Sequence, residues 1–120
     1  MTTLDDSGFR AQDGSPNTVD ISSIVKHLDR SNTDPSPWIS LFDNEEHAMN
    51  WAQDQRRARR AMGLWDERYY VSEIDGTKLG IVFSVARLLN RGWVERGSLD
   101  EFLVWKSIPF TAMRGCIILD

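Results

Sequence analysis

A carboxylate stands at the head of an otherwise apolar strand near the end of this chain. The run Leu99-Asp100-Glu101-Phe102-Leu103-Val104-Trp105 leads into Lys106-Ser107-Ile108-Pro109, a proline turn. Enclosing a carboxylate beside such residues is costly unless another group pairs it or chemistry uses it. The strand therefore constrains fold and site together. Three other segments precede it in order: Phe9-Arg10, His27 in a helical stretch, and the strand-then-helix segment from Trp38-Ile39-Ser40 to Trp51. Read together they predict a site built from Arg10, Ser40 and Glu101 in one cleft.

At 120 residues the chain fits one domain with a small core. Residues 1–7 have little to bury and read as a flexible N-terminus, leaving 8–120 as the domain. The net charge of −4 gives no global attraction to nucleic acid or an anionic membrane. The local exception is Arg56-Arg57-Ala58-Arg59-Arg60, which reads as a solvated helix face or as a tRNA contact. No apolar run is long enough to span a bilayer, and the polar, acidic start is no secretory signal. One cysteine, Cys116, excludes an intramolecular disulfide and fits a reducing compartment. A cytoplasmic protein is expected, with its oligomeric state left open. His27 and His47 lack helical ligand spacing, so no metal site is expected.

Along the chain, Phe9 to Ala11 reads as a first strand and Gln12 to Thr18 as a loop. Ile21, Ile24, Val25 and Leu28 fall at helical spacing behind Asp20, a suitable N-cap. Trp38 to Leu41 is a strand. Asp43 and Glu46 predict a cap for a second helix that ends by Gly63. Tyr69 to Ile74 is a strand, Asp75-Gly76 a turn, and Leu79 to Phe83 a strand or extended loop. Ser84 to Asn90 reads as a short helix, Arg91 to Ser98 as a loop, and Cys116 to Leu119 as a last strand with Cys116 buried. The mixture lacks regular βαβ alternation. It predicts an α+β fold with a small split antiparallel β-sheet core and flanking helices.

This order of motifs resembles the ADP-ribosyltransferase fold, in particular the enterotoxin A subunit branch, and small fungal domains of similar pattern. Phe9-Arg10-Ala11 with Asp13 is similar to the branch's early arginine strand, and His27 to its histidine. Trp38-Ile39-Ser40 is similar to the strand that ends in a serine motif, with Ala48 in the helix that follows. Tyr69-Tyr70-Val71-Ser72-Glu73-Ile74 is similar to its central tyrosine strand. Glu101 stands seven residues before Ile108, where the branch has its second, catalytic glutamate before an Ile-Pro turn. The resemblance spans roughly residues 8 to 119. It implies Glu101 and Ser40 as the catalytic pair, with Arg10, His27, Trp38 and Tyr69 holding NAD as substrate. Leu99 replaces the first glutamate of the Glu-x-Glu motif, and Leu41-Phe42 follows Ser40 in place of threonine-serine. The expected reaction is thus NAD glycohydrolysis or transfer to an acceptor other than arginine.

Each residue also has a plainer reading. Arg10 pairs a surface acid as readily as it forks onto a pyrophosphate. Ser40 is at home as a turn or cap residue, and His27 as a cation at a helix end. His47 reads as solvated. Trp38, Tyr69 and Tyr70 wall a planar group or, more commonly, fill a core. Two other function classes follow. One is a catalytically inactive interaction module. The other is a scaffold reused in fungal secondary metabolism, such as a tRNA-dependent arginine-containing cyclodipeptide synthase. There Glu101 would bind arginine, and Arg56, Arg57, Arg59 and Arg60 would meet the tRNA.

Overall fold

Trp38–Phe42 and Glu101–Trp105 pair antiparallel, and the two faces of this pair organise the molecule. In the computed structural model, residues 3–5, 8–14, 18–29, 32, 34–63 and 69–119 are described. The strands are β1 (Thr3–Asp5), β2 (Gly8–Arg10), β3 (Trp38–Phe42), β4 (Tyr69–Ile74), β5 (Val82–Ser84), β6 (Glu101–Trp105), β7 (Ser107–Pro109) and β8 (Met113–Leu119). The helices are α1 (Ile21–Leu28), α2 (Glu45–Ala61) and α3 (Val85–Asn90). Strand order is β1-β2-β7, β3-β6-β5 and β4-β8, every pairing antiparallel. The fold is a small α+β arrangement with a split antiparallel sheet.

Alternation along β3 and β6 sends side chains to two cores. Trp38 and Leu103 face one cluster, closed by Ile24 and Leu28 of α1, Val85 and Leu88 of α3, and Val94. Ile39 and Val104 face the other, with Ala11, Ile108 and Ala112. Ser40 and Glu101 share the first face. Ser40 lies opposite Leu103, and Glu101 lies opposite Phe42 two residues further along. Such diagonal neighbours are within side-chain reach.

Lys106 bends the chain between β6 and β7, with φ at 62°. Its amide donates to the Pro37 carbonyl at 2.7 Å, and its carbonyl accepts from the Ala11 amide at 2.7 Å. One continuous run thus serves two sheets, and β2 is tied to the entrance of β3.

Several details depart from the sequence reading. Thr3–Asp5 lies in the stretch expected to be flexible but pairs with β2. Residues 1, 2, 6 and 7, and the loop positions 15–17, lie outside the described residues. The cap of α2 is Asn44, which accepts from the His47 amide at 3.1 Å, rather than Asp43. The Asp43 amide instead donates to the Asp100 carbonyl at 3.0 Å. Cys116 is exposed, because β8 pairs only with β4 in a two-stranded ribbon and the strand is exposed on both faces there. Among the described residues no helix is long and apolar enough to cross a membrane.

Candidate functional site

Helix α1 starts where the Asp20 carboxylate accepts from the Ser23 amide at 2.7 Å. It buries Ile24 and Leu28. The same packing turns His27 toward β3, whose Ser40 sits on the face that α1 covers. His27 Nε2 lies 2.7 Å from Ser40 Oγ, and Nδ1 lies 2.7 Å from Ser36 Oγ. Ser40 Oγ donates to Glu101 Oε2 at 2.8 Å. The other carboxylate oxygen, Oε1, accepts from the Ser98 amide at 3.4 Å.

Hydrogen-bond chemistry fixes the direction of this chain. Ser40 has one hydroxyl proton, and it goes to Glu101. Ser40 Oγ must therefore accept from His27, which places the imidazole proton on Nε2. Nδ1 is then an acceptor, and the Ser36 hydroxyl donates to it. Ser36 Oγ also accepts from the Trp38 amide at 3.1 Å, which agrees with that assignment. Ser36, His27, Ser40 and Glu101 form one file with every O–H and N–H pointing toward the carboxylate. In the neutral ring Nδ1 takes the Ser36 proton, whereas a protonated ring would donate Nδ1–H to Ser36 Oγ instead. Burial favours the neutral state and pushes the His27 pKa from 6.5 down to about 4.

Glu101 is 9 % exposed, the one buried charged side chain among the described residues. The loop before β6 helps to enclose it. Gly97 has φ +130°, and a Cβ there would run into Val85 and come within 3.7 Å of Glu101 Oε1. The positive φ and the Val85 side chain, rather than the carboxylate, demand glycine here.

A cleft of about 620 Å³ opens on the other side of His27. That size suits a small molecule. His27 and Ser36 line it, as do Asp13, Asp20, Asp34, Lys26 and the half-exposed Trp51. Ser40 and Glu101 lie one and two hydrogen bonds inward from this wall.

The structure thus joins Ser40, Glu101 and His27. Arg10 is exposed at the end of β2, on the face opposite Phe9 and Ala11, and two residues before the lining residue Gln12. Trp38 is a core aromatic and not an open wall. It is 2 % exposed, packs against Phe83 and Trp105 at 5.7 and 4.8 Å, and donates its indole N–H to Ser23 Oγ at 2.9 Å. Tyr69 is half-buried at the start of β4, in the separate β4–β8 ribbon. The arginine cluster is not a uniformly solvated face. Arg57 is exposed and pairs with Asp54 at 3.5 Å, whereas Arg56, Arg59 and Arg60 are half-buried on α2. Among the described residues no group of three or more His, Cys, Asp or Glu is placed to hold a metal ion.

Two features escaped the sequence reading. Ser36 joins the file because Pro35 and Pro37 stiffen its backbone, a signal visible as Pro-Ser-Pro. His47, expected to be solvated, lies 2.7 Å from Asp100 Oδ2 through Nδ1 and stacks on Phe42 with ring centroids 4.0 Å apart.

A family model described as a domain of unknown function (DUF7587) matches residues 5–118, so the chain belongs to that family. No curated protein and no solved structure matches it.

Proposed function

We propose that this DUF7587 domain is an NAD-using enzyme of the ADP-ribosyltransferase type, acting as a glycohydrolase or on a non-arginine acceptor. The observation that carries the reading is the 2.8 Å hydrogen bond from Ser40 to Glu101, between two residues 61 positions apart. A serine on one strand that orders a carboxylate on the next is the arrangement the motif order implies.

Cleavage of the nicotinamide–ribose bond leaves the electron pair on nicotinamide and positive charge on the ribose. A carboxylate fixed beside the ribose stabilises that charge. Ser40 holds Oε2 in place, and His27 holds Ser40. Among the described residues Oε1 has only the long Ser98 contact, which a ribose hydroxyl would replace. Arg10 would serve the pyrophosphate. Leu99 carries no proton-accepting group, in keeping with an acceptor other than arginine.

A second reading is favoured by the 9 % exposure of Glu101. In it the domain is a catalytically inactive binding module, and the file merely pins α1 to the sheet. Nicotinamide release from NAD by the purified protein separates the two. Release that disappears in Glu101→Gln supports the enzyme. No release from a folded wild-type protein supports the module.

A further inference from the structure

We propose that Arg56, with Arg59 and Arg60 on the same side of α2, binds a single phosphate group. The proposal does not rest on the NAD reading of Glu101.

The starting point is a guanidinium nitrogen. Nη1 of Arg56 is closed off from solvent and makes no hydrogen bond among the described residues. A guanidinium keeps its charge at any ordinary pH and can only donate. A buried donor of this kind is costly to leave unmade, and in folded proteins it points to an anion or another acceptor at the site.

The helix supplies no counter-ion. The positions three and four residues to either side of Arg56 are Gln53, Ala52, Arg59 and Arg60. Those are the helical neighbours within side-chain reach, and none of them is acidic. The nearby carboxylate of Asp54 faces Arg57 at 3.5 Å. Arg56 therefore shares its side of α2 with two like charges and with the buried Ala52. The helix rests against β3 and β4. Arg59 and Arg60 stand in the last turn, where cations suit the helix dipole. Arg56 lies further in, beyond the reach of that effect. An anion bound here would meet the unpaired Nη1 and relieve the repulsion among the three arginines.

Burial decides the size of that anion. A surface that reads a nucleic-acid backbone holds its guanidiniums in solvent. In this cluster only Arg57 is exposed, and it pairs with Asp54, whereas Arg56, Arg59 and Arg60 are half-buried. Such a setting fits one compact phosphate, gripped by the planar fork of Arg56, rather than an extended polyanion.

The test follows thermal unfolding with inorganic phosphate as the probe, against sodium chloride at matched ionic strength. Wild type, Arg56→Met, Arg56→Lys and Arg57→Gln are compared. Phosphate stabilises folded proteins generally, so the informative quantity is the difference between them. At phosphate about tenfold above its dissociation constant, the wild-type Tm is expected to rise ~5 °C more than that of Arg56→Met. In chloride alone Arg56→Met is expected to melt no lower than wild type, since an apolar chain replaces an unpaired buried charge. Arg56→Lys keeps the charge without the fork and is expected to bind phosphate about tenfold more weakly. Arg57→Gln is expected to respond as wild type does. The same melts with NAD identify the source: an Arg56-dependent shift with both ligands marks a dinucleotide phosphate, and one with phosphate alone marks the free anion. Equal shifts in wild type and Arg56→Met would overturn the proposal. So would a response lost only in Arg57→Gln, the mark of an exposed polyanion surface. An Arg56→Met protein far less stable than wild type in chloride would also overturn it, by showing a paired, structural arginine.

Discussion

His27 gives the sharpest prediction about stability, because burial favours its neutral ring. Its folded pKa is about 4, against 6.5 for an unburied histidine. As pH falls below 6.5 the unfolded chain takes up a proton that the folded ring refuses. Stability is therefore fully present above 6.5, is lost as pH falls toward 4, and levels off below. The gap of roughly 2.5 units corresponds to a loss on the order of 3 kcal/mol. For a domain this size that is a Tm shift of about 10 °C. Carboxylates elsewhere also titrate at acid pH, so the informative quantity is a difference. His27→Gln removes the titration but keeps polarity. At neutral pH it is expected to be less stable than wild type by ~1–3 kcal/mol, since it cannot match both serine contacts. Urea titrations of both proteins, followed by tryptophan fluorescence and far-UV circular dichroism, give that difference at each pH. The wild-type advantage is expected to shrink through the window and to be flat above it. Parallel stability curves for the two proteins between 6.5 and 4 would refute a buried neutral imidazole.

Ser40→Ala removes the acceptor for His27 Nε2–H and a donor to Glu101. It is expected to cost ~1–3 kcal/mol for each buried group left unpaired, and an unchanged Tm would mean that the hydrogen bonds contribute nothing. Gly97→Ala combines φ +130° with a clash against Val85, so a loss of ~2 kcal/mol or more is expected by calorimetry. Gly92→Ala is its control, with φ +73° but open space around the added Cβ, and about 1 kcal/mol is expected there. Equal costs at the two glycines would show that Gly97 is not packed closely against Val85.

The sequence was most readable where local rules and burial agree. The Asp20 cap, the Ile24 and Leu28 stripe, the Tyr69–Ile74 strand and the Ser84-capped α3 are all visible in residue order. So is the unusual position of Glu101, because a carboxylate within an apolar strand stands out. His27 was singled out through the resemblance alone, and its partners were not visible. Ser36 and Ser40 meet it across separations of 9 and 13 residues, which no local pattern encodes. His47 looked solvated because Glu45 and Glu46 precede it, and its contact with Asp100 spans 53 residues. Trp38 illustrates the opposite difficulty. An aromatic at a strand start suits a pocket and a core equally, and only the tertiary neighbours Phe83 and Trp105 decide for the core. Cys116 differs because an apolar run reads as buried, while successive residues of β8 from Arg114 to Ile118 are exposed on both faces.

The most direct test of the enzymatic reading is nicotinamide release from NAD by wild type and by Glu101→Gln, both shown to be folded by their melting curves. Glutamine keeps the shape and can still accept from Ser40, but it carries no charge. Wild type is expected to release nicotinamide, and the variant to be slower by ~100-fold or more, the scale of losing one preorganised electrostatic contact. Equal release by the two proteins would contradict a catalytic role for Glu101, and no release by wild type would leave the file of Ser36, His27, Ser40 and Glu101 as the structural pin of a binding module.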